Sequence, residues 1–230
     1  MTFEEYYGEA YPVLKQTEKE LLNLIREYQI NLTETYQGRE KIAEETVEES
    51  AEETLKETVK ESEDLQPILY CRSRIKSPES MMAKLKKQGF HTDCATALLK
   101  MHDAVGVRIV CSFVDDVYAV AEWLCGREEF DVVEKKDYIA WPKPNGYRSL
   151  HLILRMSKGA GQGMQAEIQI RTIAIDFWAA LEHQMKYKRE VEHERLMREE
   201  LKRCADEIMS VDMSMQAIRD FIRNENNCFA

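Results

Sequence analysis

At 230 residues the chain fits one domain of ordinary size, or one domain carrying a helical appendage. Hydrophobic residues make up 44% and charged residues 32%, and no apolar run approaches the roughly 20 residues of a helical membrane span, so a membrane-embedded protein is not expected. The net charge of −10 argues against broad nucleic-acid binding, which needs a basic surface to neutralise phosphates, and leaves a regulatory RNA as the one such partner in view.

The first ten residues carry Glu4, Glu5 and Glu9 where a secretory signal would place basic residues ahead of an apolar stretch, so the expected compartment is the cytoplasm. Six cysteines are scattered without a C-x-x-C pair and read as reduced thiols, and His91 with Cys94 is too little for a metal site. From Tyr11 to Tyr28 the residues Leu14, Leu21, Ile25 and Tyr28 recur at helical spacing, which predicts an amphipathic helix packed on the core. Residues 39–64 hold eleven acids and four bases and read as a solvated helix, whereas residues 72–87 hold six bases and one acid. A local basic patch in an acidic protein suits a small polyphosphate ligand.

Beyond Pro67, Ile68 to Arg74 reads as a strand, and Ser80 to Gln88 as a helix opened by Ser77-Pro78-Glu79 and stopped by Gly89. Val105 to Val114, Phe130 to Ile139, Ser149 to Arg155 and Met164 to Arg171 read as further strands, with a helix from Val117 to Leu124. Helical periodicity returns over Thr172 to Lys188 and Glu190 to Asn224. The expected architecture is α+β, a sheet of four to five strands flanked by N- and C-terminal helices. As a domain plan this is one unit over 1–230: a helical region with the acidic segment over 1–66, a catalytic core over 67–189, and a C-terminal helix over 190–230.

Four segments mix residue types that suit a site better than a core: 72–80 (RSRIKSPES), 103–108 (DAVGVR), 143–151 (KPNGYRSLH) and 167–172 (EIQIRT). In the last, alternation puts Glu167, Gln169 and Arg171 on one strand face and Ala166, Ile168 and Ile170 on the other. A solvent-facing strand would alternate in the same way, and Asp103 at a strand entrance is equally at home as a turn residue. As a pair, Asp103 and Glu167 are able to hold Mg2+, which takes oxygen ligands and keeps waters and substrate phosphates. Arg72, Arg74, Lys76 and Lys84 combine forked guanidinium groups with point charges, a mixture suited to a nucleoside polyphosphate. Asn145-Gly146 signals a tight turn that delivers Tyr147, Arg148 and His151 together, although Tyr147 alone would also pass as a core residue.

In order and spacing these segments resemble the synthetase motifs of RelA/SpoT-type alarmone synthetases over about residues 68–188, with PKPNGYRSLH, EIQIRT and DFWAALEH the most specific. The chain is similar to the small, single-domain members, whose fold resembles that of nucleotidyltransferases. The resemblance implies transfer of pyrophosphate from ATP to the ribose 3′-hydroxyl of GDP or GTP, releasing AMP, with Mg2+ as cofactor. It implies that Arg74 and Arg108 sandwich the adenine, and that Lys76, Ser80 and Lys84 meet the ATP phosphates. Asp103 corresponds to the Mg2+ ligand and Glu167 to the catalytic carboxylate, which helps hold Mg2+ or activates the 3′-hydroxyl. Tyr147 corresponds to the residue stacked on guanine, within an acceptor neighbourhood of Lys143, Asn145, Arg148, His151, Gln169 and Arg171. Asp176 stands where some relatives place an Asn on the guanine, which leaves GDP-versus-GTP preference open. A homo-oligomer, a tetramer among the forms, is the expected assembly. Two alternatives are a non-catalytic nucleotide or RNA sensor and a nucleotidyltransferase that would release pyrophosphate instead of AMP.

Overall fold

In the computed structural model the described residues are 1–44, 66–186 and 194–228, so the predicted acidic helix falls mostly outside them. Two helices open the chain, α1 (Phe3–Tyr7) and α2 (Ala10–Glu44). There follow β1 (Ile68–Ile75), α3 (Pro78–Lys87), α4 (Cys94–Lys100), β2 (Val105–Cys111) and α5 (Val114–Cys125). The rest is β3 (Phe130–Asp137), β4 (Leu150–Met156), β5 (Gln165–Thr172), α6 (Ile173–Lys186) and α7 (Glu194–Cys228).

The strands form one five-stranded mixed sheet in the order β1-β2-β5-β4-β3, in which β2 and β5 run parallel and the other neighbours antiparallel. Register fixes which side chains share a face. Arg72 lies opposite Arg108, Gly106 opposite Glu167, and His151 opposite Gln169, so the polar positions of four strands stand on one side. The intervening residues Val107, Ile109, Ile168, Ile170, Leu152 and Leu154 are buried in the core on the other. Leu14, Leu21 and Ile25 of α2 join that core, as their spacing predicts, and truncating any of them to Ala should cost about 2–5 kcal/mol.

Several boundaries differ from the sequence expectation. The strand predicted through Val114 ends at Cys111, because Asp116 accepts the Phe113 N–H at 3.1 Å and starts α5 three residues earlier than expected. The strand predicted to Ile139 ends at Asp137, whose carboxylate accepts the N–H groups of Ile139 and Ala140, both at 2.9 Å. Two short helices were not foreseen: α1, opened by a Thr2–Glu5 capping box, and α4, capped by Asp93 through Thr96 N–H at 2.8 Å.

The terminal helices frame the sheet by different means. Against α2 sits the glycine-rich loop after β4, where a Cβ on Gly161 would lie 2.3 Å from Thr17 Oγ1. Helix α7 is tied by polar contacts: Trp178 Nε1 donates to the Leu201 carbonyl at 2.9 Å, Arg219 grips Asp115, and Thr172 Oγ1 donates to Asp212. It also crosses the Asn145-Gly146 turn so closely that a Cβ on Gly146 would lie 2.7 Å from the Ala205 Cβ.

Candidate active site

The polar sheet face opens into a cleft of about 220 Å³ lined by Arg72, Arg74, Asp103, Arg108, Glu167 and Gln169 among others. Gly106 forms part of its floor between Arg74 and Glu167, where the absence of a side chain leaves room for a ligand. At one end, Lys76 at the close of β1 and Lys84 on α3 both donate to Asp103 Oδ2, at 2.6 and 2.8 Å. Helix α3 starts there because Ser77 caps it, accepting Ser80 N–H at 3.3 Å, with Pro78 preset for the first turn. Ser80 therefore sits in the first turn of a helix whose N-terminal dipole favours anions.

The other end is a continuous hydrogen-bonded network. Arg171 Nη2 donates to Gln169 Oε1 at 2.7 Å and to the Tyr147 hydroxyl at 3.2 Å. Tyr147 meets His151 Nε2 at 2.9 Å, and His151 Nδ1 meets Glu167 Oε1 at 3.0 Å. Gln169 Nε2 closes the circuit on Glu167 Oε2 at 3.3 Å. An ionised carboxylate can only accept, so Nδ1–H donates to Glu167, and in that tautomer Nε2 accepts from the Tyr147 hydroxyl, which itself accepts from Arg171. Asp176, in the first turn of α6, pairs through Oδ1 with Arg108 and Arg171, each at 3.3 Å.

Burial works against charge on Asp103, but the Lys76 and Lys84 ammonium groups outweigh it and hold the carboxyl below its ordinary range. Burial likewise opposes charge on Glu167, and His151 and Gln169 together outweigh it, so this carboxyl too is held low. Burial raises the Tyr147 hydroxyl and lowers Arg171. Asp103 Oδ1 is buried with no hydrogen-bond partner. A hard cation would satisfy that oxygen, with Glu167 in the same cleft as a second ligand. Among the described residues no group of three or more His, Cys, Asp or Glu surrounds a common point, so ligand phosphates and waters would complete the coordination.

The predicted residues are thus brought together with two exceptions. Asn145 Nδ2 donates to Glu182 at 2.9 Å while its Oδ1 accepts the Tyr147 backbone N–H at 3.3 Å, and Arg148 pairs with Asp206 of α7 at 2.9 Å, so neither side chain bonds to the side chains of the network. Lys143 stands over the rings of Tyr138 and Tyr147, 4.4 and 4.9 Å from their centroids. Sequence reasoning passed over Tyr70, whose hydroxyl donates to Asp176 at 2.8 Å. Its place two and four residues before Arg72 and Arg74 on β1 was the signal available.

In fold the chain is of the nucleotidyltransferase-like class, a mixed five-stranded sheet flanked by helices with a polar cleft on one face. Residues 73–192 match the family model described as the region found in RelA/SpoT proteins, and the chain belongs to that family. It is 44% identical over 156 residues, 66% of this chain and 74% of the relative, to the GTP pyrophosphokinase YwaC of Bacillus subtilis. With YjbM, a GTP pyrophosphokinase of the same organism, it is 33% identical over 171 residues, 73% of this chain and 80% of the relative. Among solved structures it resembles small alarmone synthetase 1 from Bacillus subtilis bound to its product pppGpp (TM-score 0.60, 34% identity, 73% of this chain and 86% of that one). It also resembles a GTP pyrophosphokinase family protein from Streptococcus pneumoniae (TM-score 0.69, 27% identity, each chain covered over 100%).

Proposed function

We infer that this chain is a small alarmone synthetase, a GTP/GDP pyrophosphokinase that transfers pyrophosphate from ATP to the ribose 3′-hydroxyl of GDP or GTP and releases AMP. The observation that carries the reading is one cleft that joins Asp103 and Glu167 to Arg72, Arg74 and Arg108. In the reaction the 3′-oxygen bonds to the β-phosphorus, the bond from that phosphorus to the α,β-bridging oxygen breaks, and the hydroxyl proton departs to a base. Lys76 and Lys84 exchange Asp103 for phosphate oxygens, and Arg74 and Arg108 take the adenine. Mg2+ held by Asp103 and Glu167 would neutralise charge on the transferring group. Glu167 is ionised at neutral pH and so ready to accept the 3′-hydroxyl proton, although a low pKa makes it a weak base and favours an electrostatic share in its role. Tyr147, Gln169 and Arg171 orient the guanosine side, and most of the rate comes from positioning and charge neutralisation.

The chain works as one synthetase unit in the cytoplasm. No described helix is long and apolar enough to cross a membrane. Self-association is supported by exposed apolar stripes at helical spacing, Ile173, Phe177, Leu181 and Met185 on α6 and Val211, Met215, Ile218 and Ile222 on α7. A homo-oligomer would cover them.

Chromatography of products from purified protein with Mg2+, ATP and GDP or GTP tests the reading. The expected result is AMP together with a guanosine carrying a 3′-pyrophosphate, with turnover reduced by about 10²–10⁴ in Glu167→Gln at unchanged melting temperature. Pyrophosphate release without AMP would point instead to nucleotidyl transfer, and a fully active Glu167→Gln would remove Glu167 from the mechanism.

A further inference from the structure

The two ends of the cleft meet at a single carboxylate, and a residue outside the motifs sets its orientation. Asp176 Oδ1 faces Arg108, which lines the cleft, and Arg171, which leads through Gln169, Tyr147 and His151 to Glu167. A carboxylate turns easily about its last torsion, so two guanidinium groups sharing one oxygen do not by themselves fix it. The other oxygen is held by Tyr70, whose hydroxyl donates to Oδ2 at 2.8 Å. Tyr70 supplies this hold without a third positive charge beside two arginines that already repel each other. Arg72 packs over the Tyr70 ring, 5.3 Å from its centroid, so the ring has a packing role separable from that of the hydroxyl.

We propose that Tyr70 is a positioning residue of the synthetase, fixing the Asp176 carboxylate so that Arg108 and Arg171 are held in register and occupancy of the ATP end is felt at the guanosine end. The inference rests on the pyrophosphokinase reading for which nucleotide occupies which end. Its direction follows from the shared oxygen. A nucleotide that draws Arg108 toward itself leaves Oδ1 to Arg171, which stiffens the network around Glu167, so binding at the two ends is mutually favourable. Without the hydroxyl the carboxylate follows Arg108, and the coupling is lost.

The test is a double-mutant cycle on Tyr70→Phe and Asp176→Asn, with kcat and KM determined separately for ATP and GDP. Calorimetry measures GDP affinity with and without a non-hydrolysable ATP analogue. Tyr70→Phe keeps the Arg72 stack and should melt with the wild type, while kcat/KM falls roughly tenfold through KM for both nucleotides, the scale of one hydrogen bond to a charged group. In the wild type the analogue tightens GDP binding, and in Tyr70→Phe it does not. Adding Tyr70→Phe to Asp176→Asn costs less than about twofold more, because both act through one contact. Additive losses, an analogue effect that survives in Tyr70→Phe, or no analogue effect in the wild type would each overturn the proposal. A wild-type protein that makes no alarmone would sink the pyrophosphokinase reading instead, and calorimetry would still decide the role of Tyr70.

Discussion

At the end of the cleft assigned to ATP, two lysines converge on one carboxylate oxygen, whereas at the end assigned to guanosine an imidazole, a phenol and an amide hand hydrogen bonds from Arg171 to Glu167. Their supports differ as well. The first end is backed by α1, where the Tyr7 hydroxyl donates to the Lys76 carbonyl at 2.8 Å, and by the apolar seam of α2. The second is backed by α7, which presses on Gly146 and pairs with Arg148. The lesson is a division of labour. Ion pairs can be exchanged for a polyphosphate, because its oxygens replace the carboxylate around the same ammonium groups. A directional network cannot be exchanged in that way, so it must be correct before the acceptor arrives.

Asp103→Asn breaks this comparison most severely. It removes the charge that two lysines share and a cation would need, so turnover should fall by about 10²–10⁴ while GDP affinity, measured by calorimetry, stays within about twofold of wild type. An equal loss of GDP affinity would mean that the two ends are not separately built.

Gly146→Ala attacks the other end through its support. Gly146 has φ +89°, and an added Cβ would also meet the Lys202 Cα at 3.0 Å, so neither the turn nor α7 can stay in place. The expected destabilisation is about 2–4 kcal/mol by thermal unfolding. In protein that remains folded, kcat/KM for GDP should drop roughly tenfold, the loss of about one good contact, with KM for ATP changing less. Unchanged melting and GDP kinetics would show that α7 is dispensable to the acceptor turn.

How far the site was legible in the sequence depends on whether a residue's partners are near or remote. Alternation alone placed Glu167, Gln169 and Arg171 on one face, and the Ser77-Pro78 start located α3. The juxtaposition of Tyr70 with Asp176 was not legible, because it needs β1 beside β2 and the first turn of α6 above them, a consequence of strand order set by long-range pairing. The partners of Asn145 and Arg148, Glu182 and Asp206, were not legible either, because they lie on α6 and α7, far along the chain. Helix α4, by contrast, was readable from Asp93 as a cap before Cys94-Ala-Thr-Ala-Leu-Leu.

The smallest expected effect separates the two ends by pH. Asp103 and Glu167 both titrate below their unfolded values, the first because Lys76 and Lys84 outweigh burial, the second because His151 and Gln169 together do. A depressed carboxyl contributes stability above its unfolded pKa, about 4, and loses it only as pH falls through the lower folded value. Neither acid therefore changes charge between pH 8 and pH 5.5, and the ratio of variant to wild-type kcat/KM cancels the titration of the nucleotides themselves. For Tyr70→Phe, which touches neither carboxyl, that ratio should stay constant within about twofold across the range. For His151→Asn the ratio should fall toward acid pH, because burial then acts on Glu167 without its main stabilising partner, and its pKa moves up. A ratio that stays flat in His151→Asn would show that Gln169 suffices to hold Glu167 ionised, and that the guanosine end, like the ATP end, depends on more than one partner for its charge.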